Sequence, residues 1–301
     1  MPTIRQSLVA NLTRLYPLYS GCGTFANKPF IQKLAGTNNE SVWSQVPGGE
    51  ILVPLNDYVG RAAFYVGDLD RKITWICAQI VRPGDTVLDI GANIGMVTLW
   101  LSTLVGKSGK VHAFEPNPKL QKMLEETLNH NQVSNVCLHP VALGAEQGSL
   151  ELRIPRVNAG AASLIRNGDL IDCDVVEVPV RTLSEIVEEE GIKSIRLIKI
   201  DVEGFEAEVL KGGQDVLGTI RPEAILFELN ERLEGAVRDQ PVIKILSDFG
   251  YGFFSIPRCL FRMHLEYFDP NTSNALTGND FLAVPKGKFY EDIAKLVNVS
   301  V

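Results

Sequence analysis

Asp89, Gly91, Gly95 and Glu115 fall within one stretch, residues 84–117, and their types and order suit a ligand that carries a ribose. Gly91-Ala92-Asn93-Ile94-Gly95 lies between an apolar run, Thr86 to Ile90, and residues that recur at helical spacing, Met96, Leu99, Trp100, Thr103 and Leu104. A glycine turn between strand and helix lets backbone N–H groups and the helix N-terminus face a ligand with no Cβ in the way. Glu115 closes a second apolar run, Val111 to Phe114, about 20 residues beyond the turn, where an acid can hold a ribose diol. The glycines are spaced G-x-x-x-G, not the G-x-G-x-x-G of a dinucleotide site, and no basic residue lies in the turn. Asp89 at the strand end suits a cationic amino group better than a phosphate.

A second group of acids follows the same logic. Leu197 to Ile200 is an apolar run with Asp201 at its carboxyl end, and Glu228 likewise ends the run Ala224 to Phe227. In open α/β sheets ligands sit at the carboxyl ends of strands, so Asp201 shares an edge with Gly91, Glu115 and Glu228. Gly204 opens the next helix, which sets Glu203 and Glu206 near its positive end. Glu206 and Glu208 are read as ordinary acids of a helix start.

The segments DIGANIG (89–95), FEPNP (114–118), VALG (141–144), LIKIDVEGFEAEVLKGG (197–213) and FELNE (227–231) together resemble the FkbM family of S-adenosylmethionine-dependent methyltransferases. The resemblance covers residues 50–285. It implies an α/β, Rossmann-like class I methyltransferase fold: a seven-stranded, mostly parallel sheet with its last strand antiparallel and helices on both faces. It also implies O-methylation, the transfer of a methyl group to a hydroxyl of a sugar or secondary metabolite. By the family's pattern Gly91, Ala92, Asn93 and Gly95 contact the methionyl part of S-adenosyl-L-methionine and Glu115 its ribose, with Asn117 also among the cofactor-binding residues. Ala142 and Leu143 lie near adenine.

An alcohol acceptor must lose its proton as it attacks, so a base is needed, with Asp201 the first candidate and Glu203 and Glu228 next. A helix N-terminus weakens a carboxylate as a base. Asp201 alternatively binds the methionyl ammonium or, with Glu203 and Glu228 as oxygen ligands, holds a divalent cation such as Mg. A nicotinamide-dependent oxidoreductase and a non-catalytic nucleoside-binding protein are the rival readings.

The elements that must position these residues span 301 residues, 45% hydrophobic and 22% charged, which are globular proportions. Three segments are expected: an N-terminal helical extension, 1–49; a hairpin and helix, 50–83; and the methyltransferase core, 84–301. The hairpin is assigned to Ile51–Leu55 and Ala62–Val66, the helix to Ile73–Val81, and 257–280 mostly to loop. Phe205 to Leu217 is assigned to one helix.

The net charge of −7 disfavours nucleic acid as a partner and leaves a small molecule or glycan as the expected acceptor. Residues 1–39 hold Arg5, Arg14, Lys28 and Lys33 and no acid. Leu8, Leu12, Leu15 and Tyr16 repeat at three to four, so this segment is expected to pack on the core as a cap over the acceptor side. A basic amphipathic lipid anchor is the competing reading. Five scattered cysteines and four dispersed histidines predict neither a disulfide framework nor a zinc site. His112 and His139 fall in expected strands. No signal pattern or membrane-length apolar run occurs, which predicts a cytoplasmic protein without stable membrane insertion. The sequence leaves the oligomeric state open.

Overall fold

The computed structural model describes residues 1–36, 40–155, 173–229, 236–272 and 278–296. Three short helices come first: α1 (Ile4–Thr13), α2 (Cys22–Ala26) and α3 (Pro29–Ala35). Thr3 and Gln6 form a capping box that fixes the start of α1. Its inward face is not the leucine stripe that the spacing predicts. Gln6, Val9, Ala10 and Thr13 are buried, while Ile4, Leu8, Leu12 and the following Leu15 stand in solvent. Small side chains let this face pack closely, and the Thr13 hydroxyl donates to the Tyr65 carbonyl at 2.6 Å. Arg14 donates to the carbonyls of Phe64 and Gln45. These bonds, not leucine burial, fix the helix's rotation.

The hairpin is formed by β1 (Ser41–Val46) and β2 (Gly49–Pro54), so it straddles residue 49, and 62–66 is no strand. Residues 62–65 belong to α4 (Tyr58–Tyr65), which Val66 ends, because the Asp57 side chain accepts from the Val59 and Gly60 amides and starts a helix. A run of small and apolar residues too short to show a period hid this in the sequence. α5 (Arg71–Ile80) then leads into the alternating part of the chain.

That part comprises β3 (Thr86–Ile90), α6 (Met96–Val105), β4 (Lys110–Phe114), α7 (Pro118–His130), β5 (Val136–His139), β6 (Ala142–Leu143), β7 (Gly148–Pro155), β8 (Cys173–Arg181) and α8 (Leu183–Glu189). After these come β9 (Leu197–Ile200), α9 (Glu206–Lys211), α10 (Gln214–Thr219), β10 (Ile225–Glu228), α11 (Pro241–Asp248), β11 (Tyr251–Ser255), β12 (Glu266–Phe268), β13 (Asp280–Pro285) and α12 (Lys288–Ala294). The main sheet runs β12-β11-β13-β10-β9-β3-β4-β5. From β10 to β5 all pairings are parallel, and β13 is antiparallel to both β10 and β11. The sheet has eight strands instead of seven because the stretch 257–280, expected as loop, contributes the short edge strand β12.

Successive strand residues supply opposite faces. Leu88, Ile90, Ile198 and Ile200 pack against α8, α9 and α11, whereas Val87 and Leu197 join the core beneath α5 and α6. The expected helix 205–217 is two helices. They break at Gly212–Gly213, where a Cβ on Gly212 would meet the Gly144 carbonyl at 2.0 Å. A separate three-stranded sheet, β6-β8-β7, carries Ala142 and Leu143 beside the main sheet. Most of the expected loop between β7 and β8 lies outside the described residues.

Candidate active site

The turn after β3 is shaped by positive φ angles at Gly91 (79°), Asn93 (55°) and Gly95 (90°). The Gly91 and Ala92 amides both donate to the Phe114 carbonyl, which ties the turn to the end of β4. A Cβ on Gly91 would lie 1.9 Å from the Asp201 carbonyl oxygen, so glycine is what lets β3 and β9 end side by side. Gly95 starts α6 and packs on Leu124. Glu115 faces the turn, accepting from the Asn93 amide on one oxygen and the Asn117 amide on the other, each at 2.8 Å. Burial pushes its carboxyl up to about 7 against the pull of those two donors.

Lys199, which the motif reading passed over, is the hub of the site. It is buried in the middle of β9, donates to the Gly91 carbonyl at 2.8 Å, and lies 3.3 Å from Asp89 and 3.5 Å from Asp201. Burial opposes its charge, but Asp89 and Asp201 outweigh that and raise its pKa. The available signal was a lysine inside the apolar run Leu197-Ile-Lys-Ile200, since a buried charge must be paired. Asp89 is fully buried: one oxygen accepts from the Thr98 hydroxyl at 2.6 Å and the other faces Lys199. The cation beside Asp89 in this geometry is the protein's own Lys199.

Two clefts meet at the carboxyl edge of the sheet. The narrower is lined by Gly91, Asn93, Glu115, Ala142, Leu143, Asp201 and Glu203; its described lining contains these three carboxylates and no Lys or Arg. Ala92 and Asn117 are buried and are not among its lining residues, Asn117 capping α7 through the Lys119 amide. The larger, about 310 Å³, is lined by Ser20 to Thr24, Asp70, Lys72, Lys199, Asp201, Glu228, Arg258, Asn279 and Asp280 among others. Asp201 is the residue common to both linings. Glu228 accepts from the Asn279 amide group at 3.2 Å, and desolvation, reinforced by Asp201 and Asp280, pushes it up to about 7. Glu203 is likewise raised to about 7, by lost hydration first and then by the charges of Asp201 and Glu206. Acids held at high pKa beside one another favour a cationic ligand, whose charge lets them ionise.

Lys72 is a second site residue that the sequence reading missed. It is buried between Asp280 and Asp70, with Asp70 at 3.3 Å. Among the described residues the side chains that converge closely enough for a metal are elsewhere: His112, Cys137, His139 and Glu190 have ligating atoms within 4.8 Å of one another. Neighbouring strands gather residues that are scattered in sequence. His112 Nδ1 and His139 Nε2 already face each other at 3.1 Å, and burial lowers the pKa of both rings. Asp201, Glu203 and Glu228 do not form such a group.

A parallel α/β sheet that ends in an antiparallel strand, with a glycine turn facing an acid at the end of the next strand, defines a class I methyltransferase core. A methyltransferase FkbM domain matches residues 89–253, and the chain belongs to this family. It is 30% identical over 244 residues to 31-O-demethyl-FK506 methyltransferase FkbM of Streptomyces tacrolimicus, covering 69% of this chain and 87% of that one. It is 31% identical over 151 residues to Methyltransferase 1 of Beauveria bassiana, covering 44% of this chain and 60% of that one, less than two thirds of the relative's length. It is 28% identical over 181 residues to hexuronic acid methyltransferase AglP of Haloferax volcanii, covering 60% of this chain and 68% of that one.

Proposed function

We propose that the protein transfers a methyl group from S-adenosyl-L-methionine to a hydroxyl of a sugar or secondary-metabolite acceptor, with Asp201 acting where the two substrates meet. The observation that carries this reading is the shared position of Asp201 in both clefts. When bound, the donor supplies a methyl group on a cationic sulfur, suited to in-line displacement by an oxygen nucleophile.

The narrower cleft fits such a donor. Each Glu115 oxygen accepts one backbone N–H and keeps a lone pair for a ribose hydroxyl. The Gly91–Asn93 backbone approaches without side-chain obstruction, and Ala142 and Leu143 offer an apolar edge to a base. Three carboxylates and, among the described lining residues, no Lys or Arg suit a sulfonium and oppose the pyrophosphate of a nicotinamide cofactor. The larger cleft, with its charged and amide lining, suits a polyhydroxylated acceptor in place of nucleic acid. The FK506 and hexuronic acid relatives support that acceptor class. Asp201, held by Lys199, orients the acceptor hydroxyl. Glu228, pushed up to about 7, takes its proton.

Asp201→Asn keeps the shape and removes the charge. The variant is expected to melt like the wild type and bind donor, while turnover falls roughly 10²-fold as the acceptor loses its orientation. Normal turnover would remove Asp201 from the reacting centre. S-adenosylhomocysteine is expected to raise the melting temperature where NAD does not.

A further inference from the structure

We infer that the face formed by α1, α3 and the loop 258–262 docks on an anionic lipid surface. Most of the large apolar side chains exposed among the described residues gather there: Ile4, Leu8, Leu12 and Leu15 along α1, Phe30 and Leu34 on α3, and Leu260 with Phe261. α1 and α3 pack together, the Arg5 side chain donating to the Lys33 carbonyl. The Tyr19 amide donates to the Leu260 carbonyl and the Ser20 hydroxyl to the Cys259 carbonyl, bonds that tie the loop to the segment that follows α1. An exposed apolar patch of this extent on an otherwise well-packed chain marks an interaction surface.

Charge selects the occupant. Arg5, Lys28, Lys33, Arg258 and Arg262 are exposed on these same segments, against the exposed acids Glu40 and Glu266 near them among the described residues. Residues 1–39 carry four cations and no acid in a chain of net charge −7. A leucine stripe bordered by cations is the pattern of a helix lying in the plane of an anionic membrane. No helix among the described residues is long and apolar enough to cross a membrane, so the contact is interfacial. The segment that joins α1 to α3 also lines the larger cleft at Ser20 to Thr24, and Arg258 lines it from the loop. Docking on this face therefore brings lipid next to the rim of that cleft. The docking itself does not depend on the methyl-transfer reading, and its test measures no turnover.

The test is co-sedimentation of the full chain with vesicles of phosphatidylcholine alone or with phosphatidylglycerol, at physiological salt. The wild type is expected to sediment with the anionic vesicles and not with the neutral ones. The triple variant Leu8→Ser, Leu12→Ser, Leu15→Ser is expected to remain soluble with an unchanged melting profile and to lose most of its vesicle binding. Lys28→Gln with Lys33→Gln lowers partitioning by about tenfold or more, each charge being worth about a factor of five near an anionic surface. Wild-type protein left in the supernatant with anionic vesicles overturns the proposal, as does equal sedimentation of the leucine variant. Concentration-dependent dimers that the leucine variant abolishes, without vesicle binding, would reassign the face to a second copy of this chain.

Discussion

Lys199 shows how one buried charge organises the carboxyl end of the sheet. Its ammonium binds the glycine turn through the Gly91 carbonyl and orients Asp201 on the other side. Glu228 lines the larger cleft with its carboxyl pushed up to about 7, which gives the proposed proton transfer a pH signature. A base must be ionised to work, so turnover is expected to rise as pH passes upward through about 7, and Glu228→Gln is expected to abolish that limb. A pH–rate profile unchanged in shape would assign the proton to another group. Glu115→Ala removes both lone pairs proposed for the ribose. Calorimetry is expected to record a loss of about 1.5–3 kcal/mol in donor affinity, the value of a charge-assisted hydrogen bond.

At the scale of elements, the site depends on β3 and β9 ending in register. The Asp201 amide donates to the Ile90 carbonyl, and Gly91 turns away at once in a left-handed conformation. Gly91→Ala combines a positive φ with a Cβ driven onto the Asp201 carbonyl. It should therefore destabilise by more than the roughly 1 kcal/mol of an unfavourable φ alone, and it should displace Asp201. Urea unfolding measures the first effect. A midpoint equal to that of the wild type would mean that the turn relaxes freely. Gly212 plays a related part between α9 and α10, where the helix breaks so that the backbone can meet Gly144.

At the scale of the whole molecule, the N-terminal helices are part of the fold. Val9, Ala10, Cys22, Ala26 and Ile31 share one core with Ile51, Val53, Ala62 and Ala63, and with Met96 and Leu99 of α6. A chain starting at Glu40 exposes that core. Each large buried side chain contributes about 1.5–3 kcal/mol against a total stability of about 5–15 kcal/mol. The truncated chain is expected to lose its cooperative melting transition. A native-like transition would make the cap a separable unit.

Local chemistry was legible in the sequence wherever a motif carries its own geometry. Gly91, Glu115, Asp201 and Glu228 each end an apolar run, and alternation of strand and helix places such ends on one edge, so a mostly parallel sheet followed from order and spacing and the methyltransferase fold class from the resemblance. The spacing also revealed the amphipathic character of α1. It could not reveal which face turns inward, because that depends on Ala62–Tyr65, the Tyr65 carbonyl and the close approach that small residues permit. The helix at 58–65 was hidden because a short run of apolar residues has no period. Lys199 stood out only as a lysine inside an apolar run and Lys72 not at all; the fold brings Asp89 and Asp201 around the first and Asp70 and Asp280 around the second. Residue types and spacing determined the strand ends and their chemistry; only the tertiary structure decided which charges pair and which apolar face stays uncovered, since both depend on contacts between residues far apart in the chain.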